Sequence, residues 1–153
     1  GYGDASVALT TDEVTPEALA RADILIVGGP THSMSIPTED SLDFVARHRH
    51  RDHTSLKRGG PLLREWLDTL EHSEGPVAAF DTRYRGPDGR GGSSSILRRL
   101  RAAGYHHIVP AEGFYVEQVG EKPEDGARLL HGELDRARAW GESIAAKVES
   151  LGN

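Results

Sequence analysis

The chain has 153 residues, with 18 Lys and Arg against 24 Asp and Glu, so its formal net charge is −6 with neutral histidines. This length and a composition of 37% hydrophobic and 27% charged residues predict one globular domain over 1–153, and the absence of cysteine excludes disulfide, thiol and iron–sulfur chemistry. Since no apolar run approaches the roughly 20 residues of a membrane helix and the charge is acidic, we expect a soluble cytoplasmic protein that binds neither membranes nor nucleic acids.

The first third of the chain predicts two strands and two helices. Residues 5–10 alternate apolar with polar residues, as a half-buried strand does. Thr15 before Pro16 is typical of a helix start, and the helix should continue to about Arg21. Residues 24–27 are uniformly apolar, which predicts a central parallel strand covered on both faces and ending in a turn at 28–32. A further helix should begin after Thr38.

The rest of the chain continues the alternation of helices and strands. The polar and basic run 47–60 predicts a surface insertion, and glycines at 86–92 predict a loop before a helix that is capped by serines and ends at Gly104. Further helices are predicted at 61–70, 93–103 and 132–149. Further strands are predicted at 77–80, 108–109 and 114–116. The last helix should bury one apolar stripe, formed by Leu134, Ala137, Trp140, Ile144, Val148 and Leu151.

This alternation predicts an α/β fold with three layers, an open parallel sheet between helices. In such sheets ligands bind beyond the carboxyl ends of the strands. Two loops meet that description, at 29–37 and 81–92. The basic insertion is better explained as a solvated or partner-docking surface than as a metal site, because its histidines lack helical ligand spacing. Trp66 and Trp140 are interpreted as core residues, and His106 and His107 as a turn.

The two loops carry the candidate binding residues. The first has three hydroxyls, an imidazole and a thioether that could hold a flat heteroaromatic ligand, although an ordinary turn explains it equally well. In the second, Tyr84 could stack on a ring while amides near Gly91 and Gly92 reach its polar edge. The glycines before Ser93 could instead bind a phosphate at a helix start, but they match neither the P-loop nor the dinucleotide motif.

Four segments, 22–32, 63–68, 77–83 and 132–141, together resemble a flavodoxin-type protein of the actinobacterial sort. The resemblance runs from about Ala5 to the C-terminus. It implies a flavodoxin-like fold with strand order 2-1-3-4-5, FMN as the cofactor, and electron transfer by the flavin. Position by position it implies two cofactor-binding loops on either side of the isoalloxazine ring. They are Pro30, Thr31, His32, Ser33 and Met34, and Asp81, Thr82, Arg83 and Tyr84.

The chain departs from this family at its beginning. Members start with a strand, a phosphate-binding loop and a first helix, and the four residues before Ala5 are too few to form them. We therefore expect the first strand, an interior one, to be missing from this chain, which would be a truncated form of a longer protein. The loss of the phosphate-binding loop is expected to weaken or abolish FMN binding.

Three functions follow from these observations. The leading one is an FMN-binding redox or electron-transfer protein that acts on a redox protein or a small-molecule acceptor, with no catalytic acid or base and no metal. A flavodoxin-like domain that binds no flavin and serves as a structural or interaction module is the second. The third is an NAD(P)H-dependent flavin or quinone reductase. A homodimer is left open.

Overall fold

A computed structural model of the protein describes residues 6–31, 35–48, 60–86, 91–121 and 126–152. Helices and strands alternate along much of these ranges, as the sequence predicts. The helices are α1 (Pro16–Ala20), α2 (Glu39–His48), α3 (Leu63–Asp68), α4 (Gly92–Ala102) and α5 (Glu133–Leu151). The strands are β1 (Leu25–Pro30), β2 (Pro76–Tyr84), β3 (His106–His107), β4 (Glu112–Gln118) and β5 (Ala127–Leu129).

The strands form one mostly parallel sheet in the order β1-β2-β4-β5, with β3 beside the start of β2. Strand β2 is parallel to β1 on one side and to β3 and β4 on the other. Strand β5 is antiparallel to β4, which the sequence did not predict because a three-residue exposed strand has no readable period. The protein is therefore a mixed α/β structure.

Helices cover the sheet on both faces. Val77 and Ala79 of β2 pack in one buried cluster with Trp66 of α3 and Leu100 of α4. Their neighbour Ala78 packs in a second cluster around Ile144 of α5. Because successive residues of a strand point to opposite faces, α4 and α5 lie on opposite sides of β2. This arrangement is compatible with three layers.

Three aromatic rings join the sheet to α5. Phe80, Phe114 and Trp140 form a triangle with ring centroids 5.9 to 6.1 Å apart, in tilted and edge-to-face arrangements. The Phe80 ring lies against Gly28 of β1, where a Cβ atom would overlap it. The prediction that both tryptophans pack in the core is confirmed for Trp66, which is buried, while Trp140 is partly buried against the second cluster.

The helix starts predicted at Thr15 and Thr38 are confirmed. The Thr15 hydroxyl accepts a hydrogen bond from the Ala18 amide at 3.2 Å. Thr38 and Ser41 exchange hydrogen bonds, with each hydroxyl accepting from the other residue's amide at 3.1 and 2.9 Å. At the end of α4, Gly104 has a φ of +95°, the left-handed conformation that stops helices.

The first predicted strand is wrong over its described residues. Residues 6–10 form no strand, and the Val7 side chain is 76% exposed. The chain instead turns at Thr10, whose amide and hydroxyl both donate to the Glu13 carboxylate at 2.8 and 2.7 Å. These hydrogen bonds lower the pKa of Glu13. An alternating pattern makes a strand only where a partner strand accepts its hydrogen bonds.

The prediction that β1 is a central strand is also wrong within the described ranges. There, β1 pairs with β2 alone and forms the edge of the sheet, and Ile26 is 46% exposed. The face bearing Val27 is covered by α3 and α4, while the face bearing Ile26 is not fully covered. The strand continues through Gly28 to Pro30, which the sequence predicted as a turn.

Smaller differences occur at element ends. Helix α3 ends at Asp68, two residues early, where the Thr69 amide donates to the Trp66 carbonyl only three residues back, at 3.0 Å. Residues 108–109 lie outside the strands, and pairing with β2 begins instead at His106 and His107, predicted as a turn.

The predicted apolar stripe of α5 is buried only in its middle. Leu134 and Leu151, near the two ends of the helix, are exposed because the sheet packs only against the middle of the stripe. Most of the predicted 47–60 insertion, residues 49–59, lies outside the described residues.

Candidate functional site

The parallel strands β1, β2 and β4 bring their carboxyl ends to one edge of the sheet, which we call the carboxyl edge. Thr31 follows β1 directly, and Tyr84 is the last residue of β2. The Thr31 amide donates to the Thr82 carbonyl at 2.8 Å, which ties the two strand ends together. The two predicted loops therefore meet at the carboxyl edge, where α/β sheets bind ligands.

Residues 81–84 form the end of strand β2, so the prediction that they form a loop is wrong. Strand pairing continues on both sides, with Thr82 opposite Pro30 of β1 and Tyr84 opposite Val116 of β4. Polar residues ended the predicted strand at Asp81. The ladder continues because the buried charges at this end of β2 neutralise each other.

Asp81 and Arg83 form a buried ion pair beside α4. Asp81 has no exposed surface, and the Arg83 side chain is 11% exposed. The carboxylate accepts hydrogen bonds from the Arg83 Nε at 2.7 Å and from Nη2 at 2.8 Å. This is the two-pronged geometry in which arginine binds carboxylates most strongly. Neither charge faces the carboxyl edge as a free group.

The same carboxylate holds the start of α4. Its Oδ2 accepts a hydrogen bond from the Ser93 amide at 2.7 Å, and the Thr31 hydroxyl accepts one from the Gly92 amide at 2.7 Å. An anion at this position also meets the positive end of the helix dipole. The predicted serine cap is wrong, since Gly91 is the cap and Ser93 lies buried inside the first turn.

These contacts weigh against a phosphate at this helix start. The amides of Gly92 and Ser93, which would hold a phosphate, already donate to Thr31 and Asp81. The protein's own carboxylate therefore takes the anion's place.

Two glycines make room for the buried guanidinium. A Cβ atom at Gly113 of β4 would overlap the Arg83 guanidinium, and one at Gly91 would overlap both Arg83 and the Asp81 carboxylate. Sequence reasoning named Gly91 only for its amide and missed Gly113. A glycine inside a strand is a known sign of close approach by another group, and it could have indicated this position.

A second polar cluster, also missed from sequence, lies where β4 meets α5. Glu133, whose side chain is 5% exposed, accepts hydrogen bonds from the Tyr115 amide at 2.9 Å and from Arg136 Nη1 at 2.6 Å. Burial raises the pKa of Glu133, but these hydrogen bonds outweigh it and lower the pKa below the ordinary value. The bond to Glu133 likewise raises the pKa of Arg136. Glu133 and Arg136 are three residues apart on a predicted helix, and this spacing could have indicated the ion pair from the sequence.

Tyr84 is the aromatic side chain that the carboxyl edge presents to solvent. It is 54% exposed, whereas Phe114 is buried and Tyr115 is partly covered. The Arg85 guanidinium lies 5.3 Å from the centre of the Tyr115 ring, a cation–π contact. The edge thus combines an exposed ring with a cation nearby in sequence.

The structure brings part of the predicted binding set together. Thr31 and Thr82 are half-buried and Pro30 and Tyr84 are exposed at the carboxyl edge, while Asp81 and Arg83 point into the protein. His32, Ser33 and Met34 lie outside the described residues. Within the described ranges, no group of three or more His, Cys, Asp or Glu residues is arranged to hold a metal ion.

Comparisons with protein-family models, with curated proteins and with solved structures find no match. In the part of the chain that the structure describes, no helix has both the length and the apolar character needed to span a membrane.

Proposed function

We propose that the protein binds FMN at the carboxyl edge and acts in electron transfer with a cytoplasmic redox protein or small-molecule acceptor. The observation that carries this proposal is the exposed Tyr84 ring at the end of β2, the strand whose neighbour β1 ends just before Thr31. Exposed aromatic rings at the ends of parallel strands are suited to stacking on flat heteroaromatic ligands.

The strand order supports a flavodoxin-like arrangement. In the order 2-1-3-4-5, the last three strands lie side by side and parallel, as β1, β2 and β4 do. The open side of β1, next to the exposed Ile26, is then the place where strand 1 of that order would pair.

The described residues fit the flavin ring better than its phosphate. Tyr84 would cover one face of the ring and exclude water from it. Arg83 cannot add charge to the ring because Asp81 neutralises it. Among the described residues, the amides at the start of α4 are already used, so the phosphate would need donors from elsewhere. When bound, FMN supplies one- or two-electron transfer.

A titration tests this proposal. FMN fluorescence should be quenched on adding the purified protein at micromolar concentration, and Tyr84→Ala should weaken binding roughly tenfold because stacking contributes about 1–3 kcal/mol. Tyr84→Phe should retain the affinity. Leu134→Ala, which removes a similarly exposed side chain on α5, is the control. An absence of quenching, or equal affinity for wild type and Tyr84→Ala, would reject the proposal.

One observation favours a second candidate, a flavodoxin-like domain that binds no flavin and acts as an interaction module. The Asp81 carboxylate already satisfies the start of α4, so the fold is complete there without a bound anion. This candidate predicts a colourless protein whose unfolding temperature is unchanged by excess FMN, whereas a ligand bound to the folded state raises it.

A further inference from the structure

An open groove runs along the outer face of α4, from its first turn to its last. Its volume is about 510 Å³, which is within the usual range of ligand pockets. The lining combines two guanidinium groups with short apolar side chains. The residues are Ser94, Leu97, Arg98, Arg101, Ala102 and Ala111.

Among the described residues, the two arginines of the groove differ from Arg99 on the same helix in having no carboxylate partner. Most arginines on neighbouring elements hold carboxylates: Arg99 of α4 contacts Asp68, and Arg136 contacts Glu112 and Glu133. Within the described ranges, Arg98 and Arg101 make no hydrogen bond or ion pair through their side chains and are exposed. Two adjacent unpaired cations in a chain of net charge −6 form a surface suited to an anionic partner.

The spacing of the groove side chains defines what that partner must present. Arg98 and Arg101 are three residues apart on a helix, so they lie on one face with their Cβ atoms about 5–6 Å apart. Each guanidinium can hold a carboxylate through two hydrogen bonds. Between and beside them, Leu97, Ala102 and Ala111 offer apolar surface.

We propose that this groove docks an acidic segment of a partner protein, in which two carboxylates three or four residues apart flank an apolar side chain. The carboxylates would pair with Arg98 and Arg101, and the apolar side chain would lie against Leu97. A polyanion such as a nucleic acid fits less well, because its many phosphates need a longer row of cations and the apolar lining would be unused.

The position of the groove connects it to the carboxyl edge. Ser94 at its near end follows Ser93, whose amide contacts Asp81. A partner docked along α4 would therefore lie beside the proposed ligand site. The docking itself requires no flavin, so it can fail or succeed independently of FMN binding.

The test uses a fluorescent helical peptide with two glutamates four residues apart flanking a leucine, and follows its anisotropy as the full chain is added. We expect binding that Arg98→Glu combined with Arg101→Glu weakens by at least about tenfold, since attraction becomes repulsion at both positions. Replacing the peptide leucine by alanine should also weaken binding. The neutral variant Arg98→Gln with Arg101→Gln should give an intermediate loss.

A matched control separates docking from general electrostatics. Arg21→Glu with Lys147→Glu makes the same change in formal charge, two units at each of two exposed positions, but lies outside the groove. It should leave peptide affinity within about twofold of wild type, because neither side chain lines the groove and salt screens attraction between charges that are not in contact. Equal weakening by both charge reversals, no peptide binding, or tighter binding of a single-stranded oligonucleotide would overturn the proposal.

Discussion

Replacing Asp81 by asparagine tests the buried ion pair that supports the carboxyl edge. The substitution keeps the shape of the side chain but removes its charge. Three hydrogen bonds converge on the carboxylate, two from Arg83 and one from the Ser93 amide. An asparagine amide nitrogen cannot accept any of them, so at least one donor loses its partner.

The expected loss is large because the remaining cation is buried. The Arg83 side chain is 11% exposed, and breaking one side of a buried ion pair costs about 3–5 kcal/mol. Natural domains are stable by about 5–15 kcal/mol, so the variant should fold but with much of its stability lost. For a chain of this length, a loss of about 3 kcal/mol lowers the unfolding temperature by roughly 6–12 °C.

Urea unfolding followed by tryptophan fluorescence measures this loss. Trp66 lies in one buried cluster and Trp140 packs against the other, so the signal reports both sides of the sheet. Asp43→Asn is the control, because its carboxylate is 64% exposed and meets Arg47 at 3.9 Å. The control should cost under about 0.5 kcal/mol. If Asp81→Asn were no more destabilising than Asp43→Asn, the ion pair would not hold the β2–α4 junction.

Three further predictions concern other parts of the structure. The lowered pKa of Glu133 means that its charge stabilises the fold above the unfolded pKa of about 4.3, and that this stability is lost as pH falls through the folded pKa. Glu133→Gln should therefore lower the free energy of unfolding by about 2 kcal/mol at pH 7, as measured by urea unfolding. Below about pH 5, the free energy of unfolding of this variant should change less with pH than that of the wild type. Parallel pH profiles of the two proteins would contradict this. Gly113→Ala should displace the Arg83 guanidinium and lower the free energy of unfolding by about 1–3 kcal/mol. An unchanged urea midpoint would mean that an added methyl group fits beside the guanidinium without displacing it. Ile26→Lys should cost under about 1 kcal/mol because Ile26 is 46% exposed, whereas Val27→Lys should prevent stable folding, and similar losses for both would mean that the two faces of β1 are equally covered.

Local signals predicted the helices well. Thr15 and Thr38 are capping residues that act within four positions of themselves, and the hydrogen bonds that they make in the structure depend on nothing distant. Gly104 stops α4 for an equally local reason, its left-handed backbone. The apolar spacing that predicted burial of Trp66 and Ile144 also reads directly along one helix.

Strand ends were predicted less well because pairing partners decide them. Residues 81–84 read as a loop from their polarity, but Gly113 across the ladder and the start of α4 make room for Arg83 inside the protein. Residues 6–10 show the opposite error, since their alternation is real and no described strand pairs with them. The sequence pattern alone does not show which neighbouring residue will neutralise a charged side chain in a strand, or whether a partner strand will pair with that strand.

The candidate site was located better than its roles were assigned. The expectation that both loops meet at one edge follows from parallel strands, and Thr31 and Thr82 do meet there. The roles of Asp81 and Arg83 could not be predicted, because the predicted strand stopped at Phe80. In the structure β2 continues to Tyr84, and since alternate residues of a strand point to the same face, Asp81 and Arg83 lie side by side.

The most direct test of the carboxyl-edge proposal is a ¹H–¹⁵N NMR titration of the protein with FMN. The proposal predicts that the perturbed amide signals are concentrated at the carboxyl edge, in Thr31, Tyr84 and Arg85, with the exposed end of α5 around Leu151 unaffected. Unchanged spectra at excess FMN, or perturbations confined to surfaces away from the carboxyl edge, would contradict it.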